Sequence, residues 1–107
     1  MTVLATNAAI HPRNASEARL LINVQARAAR LYEDGYVARR IEPFRLAITG
    51  ASGATYELDA RDSSCTCPFF VKHEARLACK HLLGAGCLLK KQAAVLRHNA
   101  AHWEALA

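Results

Sequence analysis

Three of the four cysteines in this 107-residue chain lie in one short window, and a histidine follows them closely. Cys65 and Cys67 form a pair with one residue between them, and Cys79 and His81 form a second such pair. Three thiolates and one imidazole are a complete tetrahedral ligand set for zinc. A metal ion held by both pairs would join two separated parts of the chain, which restricts the folds the chain can adopt. We therefore predict one structural Zn²⁺ ion bound by these four residues, which are called the metal cluster below.

The two pairs predict different local structures. On an extended segment, residues two apart point to the same side, so Cys65 and Cys67 can share one ion, and Pro68 then favours a turn. On a helix, residues two apart lie roughly 200° around the axis and cannot share a ligand. Because the sequence after the second pair is typical of a helix, we expect Cys79 just before the helix and His81 near its first turn. The ion should thus fasten the start of a helix to the end of a strand.

Cysteines have two other uses that the sequence leaves open. A free thiol is often buried as a small hydrophobic group, and four cysteines could instead form two disulfides. Disulfides fit poorly with an intracellular chain, and the paired spacing of these ligand types favours zinc. The fourth cysteine, Cys87, lies in helical sequence and is predicted to pack in the core. His73 is predicted to be a solvated loop residue, because four ligands already complete the set.

The pattern C-x-C followed by C-x-H resembles the SWIM zinc finger. The flanks extend the likeness, with a Pro-Phe pair at 68–69 after the first cysteines and Leu82-Leu83 after the histidine. The resemblance covers roughly residues 44–90. It implies a structural zinc site and a role in binding nucleic acid or protein. The family's motif usually lies within longer chains, such as remodelling ATPases and transposases, and the resemblance does not extend to their activities.

Hydrophobic periodicity predicts an α+β fold. Apolar residues recur at helical spacing between Asn14 and Asp34, where Asn14 is a candidate cap, Ser16 is a rival cap and Gly35 is a natural end. Residues 36–62 alternate between apolar and polar, which predicts a small antiparallel hairpin or three-stranded sheet whose second hairpin strand delivers the cysteines. The zinc knuckle and a C-terminal helix through 82–89 complete the fold. Two glycines in that helix are predicted to allow close packing against the sheet.

The chain is long enough for one compact domain, which we divide into four segments. Residues 1–13 form an N-terminal arm, and 14–43 contain the N-terminal helix and a connecting strand. Residues 44–90 form the SWIM-like finger, and 91–107 form a C-terminal helical extension. Trp103 and Leu106 in that extension predict a last helical turn that docks back on the domain.

Charge predicts an anionic partner. Fourteen basic residues against nine acidic ones give a formal net charge of +5, which favours nucleic acid, with DNA as the first candidate. Eight basic residues, called the basic set below, are predicted to contact the nucleic-acid backbone: Arg19, Arg27, Arg30, Arg39, Arg40, Lys72, Arg76 and Lys80. Solvated surface positions are the plainer interpretation of several of them, and Lys80 could also offset the thiolate charge.

Two further functions remain open at this stage. The chain could be a protein–protein interaction adaptor with a purely structural zinc site, anchored through its apolar helices. It could also be a redox-sensitive switch, since oxidised thiolates release their metal. Catalysis is not expected, because four ligands close the zinc shell and neither paired carboxylates nor a glycine-rich phosphate loop occurs. We expect no small-molecule substrate, no membrane span and a cytoplasmic location, where thiols stay reduced.

Overall fold

The computed structural model describes residues 12–73 and 77–106, the last four of these by their backbone alone. Along the chain, one long helix precedes a sheet and a short helix, and a second long helix follows them. In chain order the elements are α1 (Ala15–Ala28), β1 (Val37–Glu42), β2 (Arg45–Thr49), β3 (Thr55–Asp59), β4 (Ser64–Cys65), α2 (Pro68–Lys72) and α3 (Lys80–Leu106). This arrangement confirms the predicted α+β class with a helix at each end of a small antiparallel sheet.

Some predictions concern residues outside the described part of the chain. Most of the N-terminal arm, Arg76 of the basic set, and the docking of the Trp103 and Leu106 side chains belong to this group. Across the residues that are described, no helix is both long enough and apolar enough to cross a membrane.

Helix α1 begins after Asn14, which of the two candidate caps is the one used, and it ends earlier than expected. The Oδ1 atom of Asn14 accepts a hydrogen bond of 2.9 Å from the backbone N–H of Glu17, which satisfies one of the free donors of the first turn. The helix ends at Ala28, and the chain then passes through turns as far as Gly35, where φ is +88°. These turns bury Leu31 in the core, so a packing requirement replaces the last part of the predicted helix.

The sheet has four antiparallel strands in the order β1-β2-β3-β4. One face carries the apolar positions in register, with Ala38 opposite Ile48 and Ile48 opposite Tyr56. The fourth strand was not predicted: the chain reverses after β3 through a turn in which Ser63 has a left-handed backbone (φ 54°). Cys65 therefore lies on β4, which pairs with β3. The prediction had β3, the second strand of the hairpin, lead directly into the cysteines, whereas in the structure a turn and β4 come between.

Helix α3 packs on both α1 and the apolar face of the sheet. The side chain of Gln92 on α3 bonds the edge strand β1: its Oε1 accepts from the N–H of Ala38 at 2.7 Å, and its Nε2 donates to the carbonyl oxygen of the same residue at 3.0 Å. The core contains large side chains that are almost completely buried: Leu31, Leu46, Ile48, Leu58, Leu82 and Leu88. Helix, sheet and metal cluster thus share one core.

The predictions for the glycines and the fourth cysteine of α3 need correction. Gly84 lies against α1 rather than against the sheet, and a Cβ atom at Gly86 would meet open space. Cys87 is exposed and does not lie in the core. The buried positions of this helix, such as His81, Ala85 and Leu88, form one stripe, and Cys87 projects to the side of it. Periodicity within the helix cannot say how wide that stripe is, because its width depends on which elements pack there.

Candidate metal centre

The metal cluster forms where the end of the sheet meets the start of α3. The ligand atoms of Cys65, Cys67, Cys79 and His81 all lie within 4.8 Å of one another. The Nδ1 atom of His81 is 3.9 Å from the Sγ atom of Cys65. All four residues are buried, with at most 5% of any of them exposed. The structure therefore brings together the four side chains that the sequence predicts as ligands.

The first pair is positioned by an extension of the β3–β4 ladder. Thr66, which separates Cys65 from Cys67, donates its N–H to the carbonyl oxygen of Glu57 at 3.1 Å. Its Oγ1 atom accepts from the N–H of Glu57 at 3.0 Å. Cys67 then occupies the N-cap position of the short helix α2 without a side-chain hydrogen bond, and the first residue of α2 is the predicted turn-forming proline. Because both hydrogen bonds hold Thr66 in an extension of the ladder, the two flanking cysteines lie on the same face of it.

The second pair is positioned by the start of α3. The helix begins at Lys80, so Cys79 immediately precedes it and His81 is its second residue. The carbonyl oxygen of Cys79 accepts the N–H of Leu83 at 3.1 Å, which is the first hydrogen bond of the helix. This confirms the expected placement of the second pair. A helical position for Cys79 would have turned its sulfur away from the imidazole.

The four residues fit one zinc ion. Zinc binds sulfur at about 2.3 Å, so the ligand atoms of a tetrahedral site lie roughly 3.8 Å apart. The distance of 3.9 Å between Cys65 Sγ and His81 Nδ1 is close to that value, and no two ligand atoms of the metal cluster are more than 4.8 Å apart. The donor set of three sulfurs and one nitrogen suits zinc and excludes the hard cations Mg²⁺ and Ca²⁺, which prefer oxygen ligands.

The three sulfurs compete for protons. Hydrogen bonding from Cys65 holds the pKa of Cys67 far below its ordinary value, and the same bond raises the pKa of Cys65. A hydrogen bond with Cys65 lowers the pKa of Cys79, but its bond to Cys67 and its burial raise it more, to about 11. Zinc binds thiolates, so it replaces the protons that these thiols hold.

Residues 50–85 match the SWIM zinc finger family. The match covers about a third of the chain, from the turn before β3 to the first turns of α3, and it includes the whole metal cluster. No curated protein and no solved structure matches the chain. Together, the family match and the buried ligand set support the predicted SWIM resemblance and one structural zinc ion.

Two tyrosines complete the surroundings of His81 in the metal cluster, and the sequence did not identify them as part of the site. The ring centroids of Tyr36 and Tyr56 lie 5.8 Å and 5.3 Å from that of His81. Their rings restrict how the imidazole can turn, and ring orientation is one way in which outer residues tune a metal site. The sequence holds only a weak indication of these contacts. Tyr56 alternates with polar neighbours in its strand, which predicts that its side chain is buried on the core face but does not predict contact with a metal ligand.

The predicted solvated position of His73 also needs correction. Its ring is half-buried, and its centroid lies 4.5 Å from that of Phe69 in a tilted arrangement. Phe69 packs against the core, while Phe70 is buried in it. His73 is not among the residues that converge on the metal cluster.

The α1 residues of the basic set lie on the surface of the domain. Arg19 and Arg27 are exposed on α1, as contact with a nucleic-acid backbone requires. Arg30 lies in the turns after α1 and forms an ion pair with Asp34 at 3.6 Å. Arg19 and Arg27 form no ion pair among the described residues, whereas Arg30 has a carboxylate beside it.

The remaining described members of the basic set do not form one surface. Arg39 and Arg40 are adjacent on β1, so they point to opposite faces of the sheet. Lys72 is exposed at the end of α2. Lys80 is half-buried beside the metal cluster, where its Nζ atom lies 4.9 Å from the ring centroid of Tyr36. The lysine between the second ligand pair is thus directed over an aromatic ring.

Proposed function

We propose that this chain is a zinc-stabilised module that binds nucleic acid, with DNA as the first candidate. The zinc ion joins the segment that contains Cys65 and Cys67 to the start of α3. Exposed cations contact the phosphate backbone. In this proposal the zinc is structural and takes no part in a reaction, because the four ligands fill a tetrahedral shell and leave no position for water.

The distribution of ion pairs is the observation that carries the proposal. Six carboxylates form ion pairs with basic residues in the described chain: Glu17, Glu33, Asp34, Glu42, Glu57 and Asp59. Of the basic set's described members, Arg30 alone takes part in such a pair. The other six form no ion pair in the described part of the chain, so no carboxylate there offsets their charges, and five of them are exposed to an anionic partner.

Exposed cations that are spread over several elements favour binding through phosphates. Cations that contact phosphates supply affinity but no sequence information. No side chain of the basic set is assigned to base-specific contacts in a groove. The proposal therefore predicts affinity with little sequence preference and a strong dependence on salt, because each neutralised phosphate releases counterions.

Fluorescence anisotropy with labelled oligonucleotides at a series of salt concentrations tests the proposal. The slope of log affinity against log salt should be about −0.9 for each phosphate that is neutralised. Replacing Arg27 by Gln should lower the slope of log affinity against log salt by about 1. Arg97→Gln is the matched control, since Arg97 is an exposed cation outside the basic set. Absence of binding to duplex and single strands at low salt would refute the proposal.

A second candidate is a protein-docking adaptor, and the outer half of α3 favours it. Residues 94–102 of this helix are all exposed, and they include the apolar side chains of Val95 and Leu96, the latter 69% exposed. A partner protein retained at high salt after nuclease treatment, and lost in Leu96→Gln, would support docking. The adaptor hypothesis expects Leu96→Gln to leave any oligonucleotide affinity unchanged and Arg27→Gln to leave partner retention unchanged.

A further inference from the structure

A cleft of about 370 Å³ lies beside the metal cluster, between α1, the β2–β3 turn and the start of α3. Its floor is buried and includes Val24, Cys67 and Cys79. Its rim is accessible and includes the exposed residues Asn23 and Ser52. The volume falls within the range of about 300–1,000 Å³ that is usual for sites that bind small organic groups.

Aromatic side chains form the walls of the cleft. Tyr36, Tyr56 and Phe69 line it, and each is half-buried. All three pack against the hydrophobic core, which restricts the positions of their rings. The contacts of both tyrosines with His81 tie the cleft to the metal cluster. Rings that are held in place and half-accessible are suited to stacking with a planar ligand.

The charged side chains of the cleft are cations. Arg27 lies on its exposed rim and Lys80 at the start of α3, and no aspartate or glutamate of the described residues lines it. Three thiolates and one Zn²⁺ would carry a net charge of −1, so the two cations leave an excess of one positive charge. Offsetting the metal site therefore does not account for both of them. A ligand with aromatic and anionic parts would match the walls and the rim.

We propose that this cleft binds one nucleotide of a single-stranded nucleic acid, with the base against the tyrosine wall and the adjoining phosphate near Arg27 and Lys80. The proposal rests on the nucleic-acid function above and specifies how one nucleotide is held. Bases in a duplex are already stacked and paired, so entry into the cleft requires an unpaired base. Single strands should therefore bind more tightly than duplexes of the same sequence.

A comparison of strands with and without bases tests the cleft directly. The zinc-loaded full chain would be titrated at low salt with labelled oligothymidine, with an abasic strand of equal length and with the matching duplex. Stacking of one base on aromatic side chains predicts that oligothymidine binds about tenfold more tightly than the abasic strand. Equal binding of the abasic and base-containing strands would overturn the cleft proposal and leave the nucleic-acid function intact. Loss of binding to every probe would refute both.

Variants of the cleft give a second readout. Tyr36→Leu should abolish the difference between oligothymidine and the abasic strand, whereas Tyr36→Phe should keep it. Arg27→Gln should lower the affinity for both strands. Arg97→Gln should preserve the difference in affinity between oligothymidine and the abasic strand. Zinc content measured on each variant verifies its fold. If Tyr36→Leu does not fold, the cleft proposal is tested by the binding of oligothymidine and the abasic strand to the unchanged protein. Free thymidine monophosphate that binds as tightly as the strand would overturn the assignment to a strand.

Discussion

Gly84 of α3 lies directly against the carbonyl oxygen of Ala28 at the end of α1. A Cβ atom at position 84 would be 2.4 Å from that oxygen and 2.6 Å from the Cδ1 atom of Leu31. The two helices therefore approach each other closely at the only kind of residue that permits it. Gly84 lies three residues after His81, so this contact also fixes the start of α3 where the second pair of ligands must be placed.

We expect Gly84→Ala to destabilise the protein by about 1–3 kcal/mol, because the added methyl group overlaps backbone that cannot move freely. Gly86→Ala is the matched control in the same helix. A Cβ there meets nothing within 4 Å, so better helix propensity should raise the free energy of unfolding by about 0.5–1 kcal/mol. Chemical denaturation of both variants measures the difference. Equal effects would show that α1 and α3 are not packed as described.

Removal of a zinc ligand should remove both the metal and the cooperative fold. In zinc-finger peptides the metal contributes about 10–16 kcal/mol, which is comparable to the whole stability of a domain. Cys65→Ser and His81→Ala should each lower zinc content and broaden or abolish thermal unfolding. Cys87→Ser should do neither, because Cys87 is exposed and lies outside the metal cluster. Elemental analysis with thermal melts would test this, and full zinc retention in Cys65→Ser would contradict the ligand set.

Zinc affinity should increase with pH across the neutral range. The pKa values of Cys65 and Cys79 are raised, the latter to about 11, so these thiols hold protons that zinc must displace. Higher pH removes that competition, and each released proton contributes up to about a tenfold change in affinity per pH unit. Competition with a chromophoric chelator between about pH 6 and pH 8 measures the slope. Cys87→Ser should show the same slope, and a flat profile would argue against thiolate ligands.

Loss of the Gln92 side chain should detach α3 from the edge of the sheet. Gln92→Ala removes both hydrogen bonds to the backbone of Ala38, and we expect a cost of about 1–3 kcal/mol. Gln25→Ala is the comparison, because Gln25 is an exposed helical glutamine with no side-chain hydrogen bond among the described residues. Its effect should stay within about 0.5 kcal/mol. Hydrogen exchange at Ala38 should rise in Gln92→Ala alone.

Sequence patterns over a few residues predicted the features that depend on interactions between residues close in the chain. The cap at Asn14, the alternating strands and the position of Cys79 just before α3 follow from residue type and spacing over a few positions. The metal cluster could also be predicted, because zinc demands a particular donor set whatever the surrounding fold. Its confirmation as a buried convergence of four side chains required the structure, since nothing local brings residue 65 to residue 81.

Other features depended on contacts between distant segments. The early end of α1, the unpredicted strand β4 and the exposed position of Cys87 each result from how the elements pack, which periodicity alone does not contain. The cleft is the clearest case, because Arg27, Tyr36 and Lys80 are separated in the chain and line one cavity only in the folded protein. The sequence by itself determined which atoms can bind zinc and where helices begin. The tertiary structure decided which side chains share a surface, because burial and proximity arise from the packing of the whole chain.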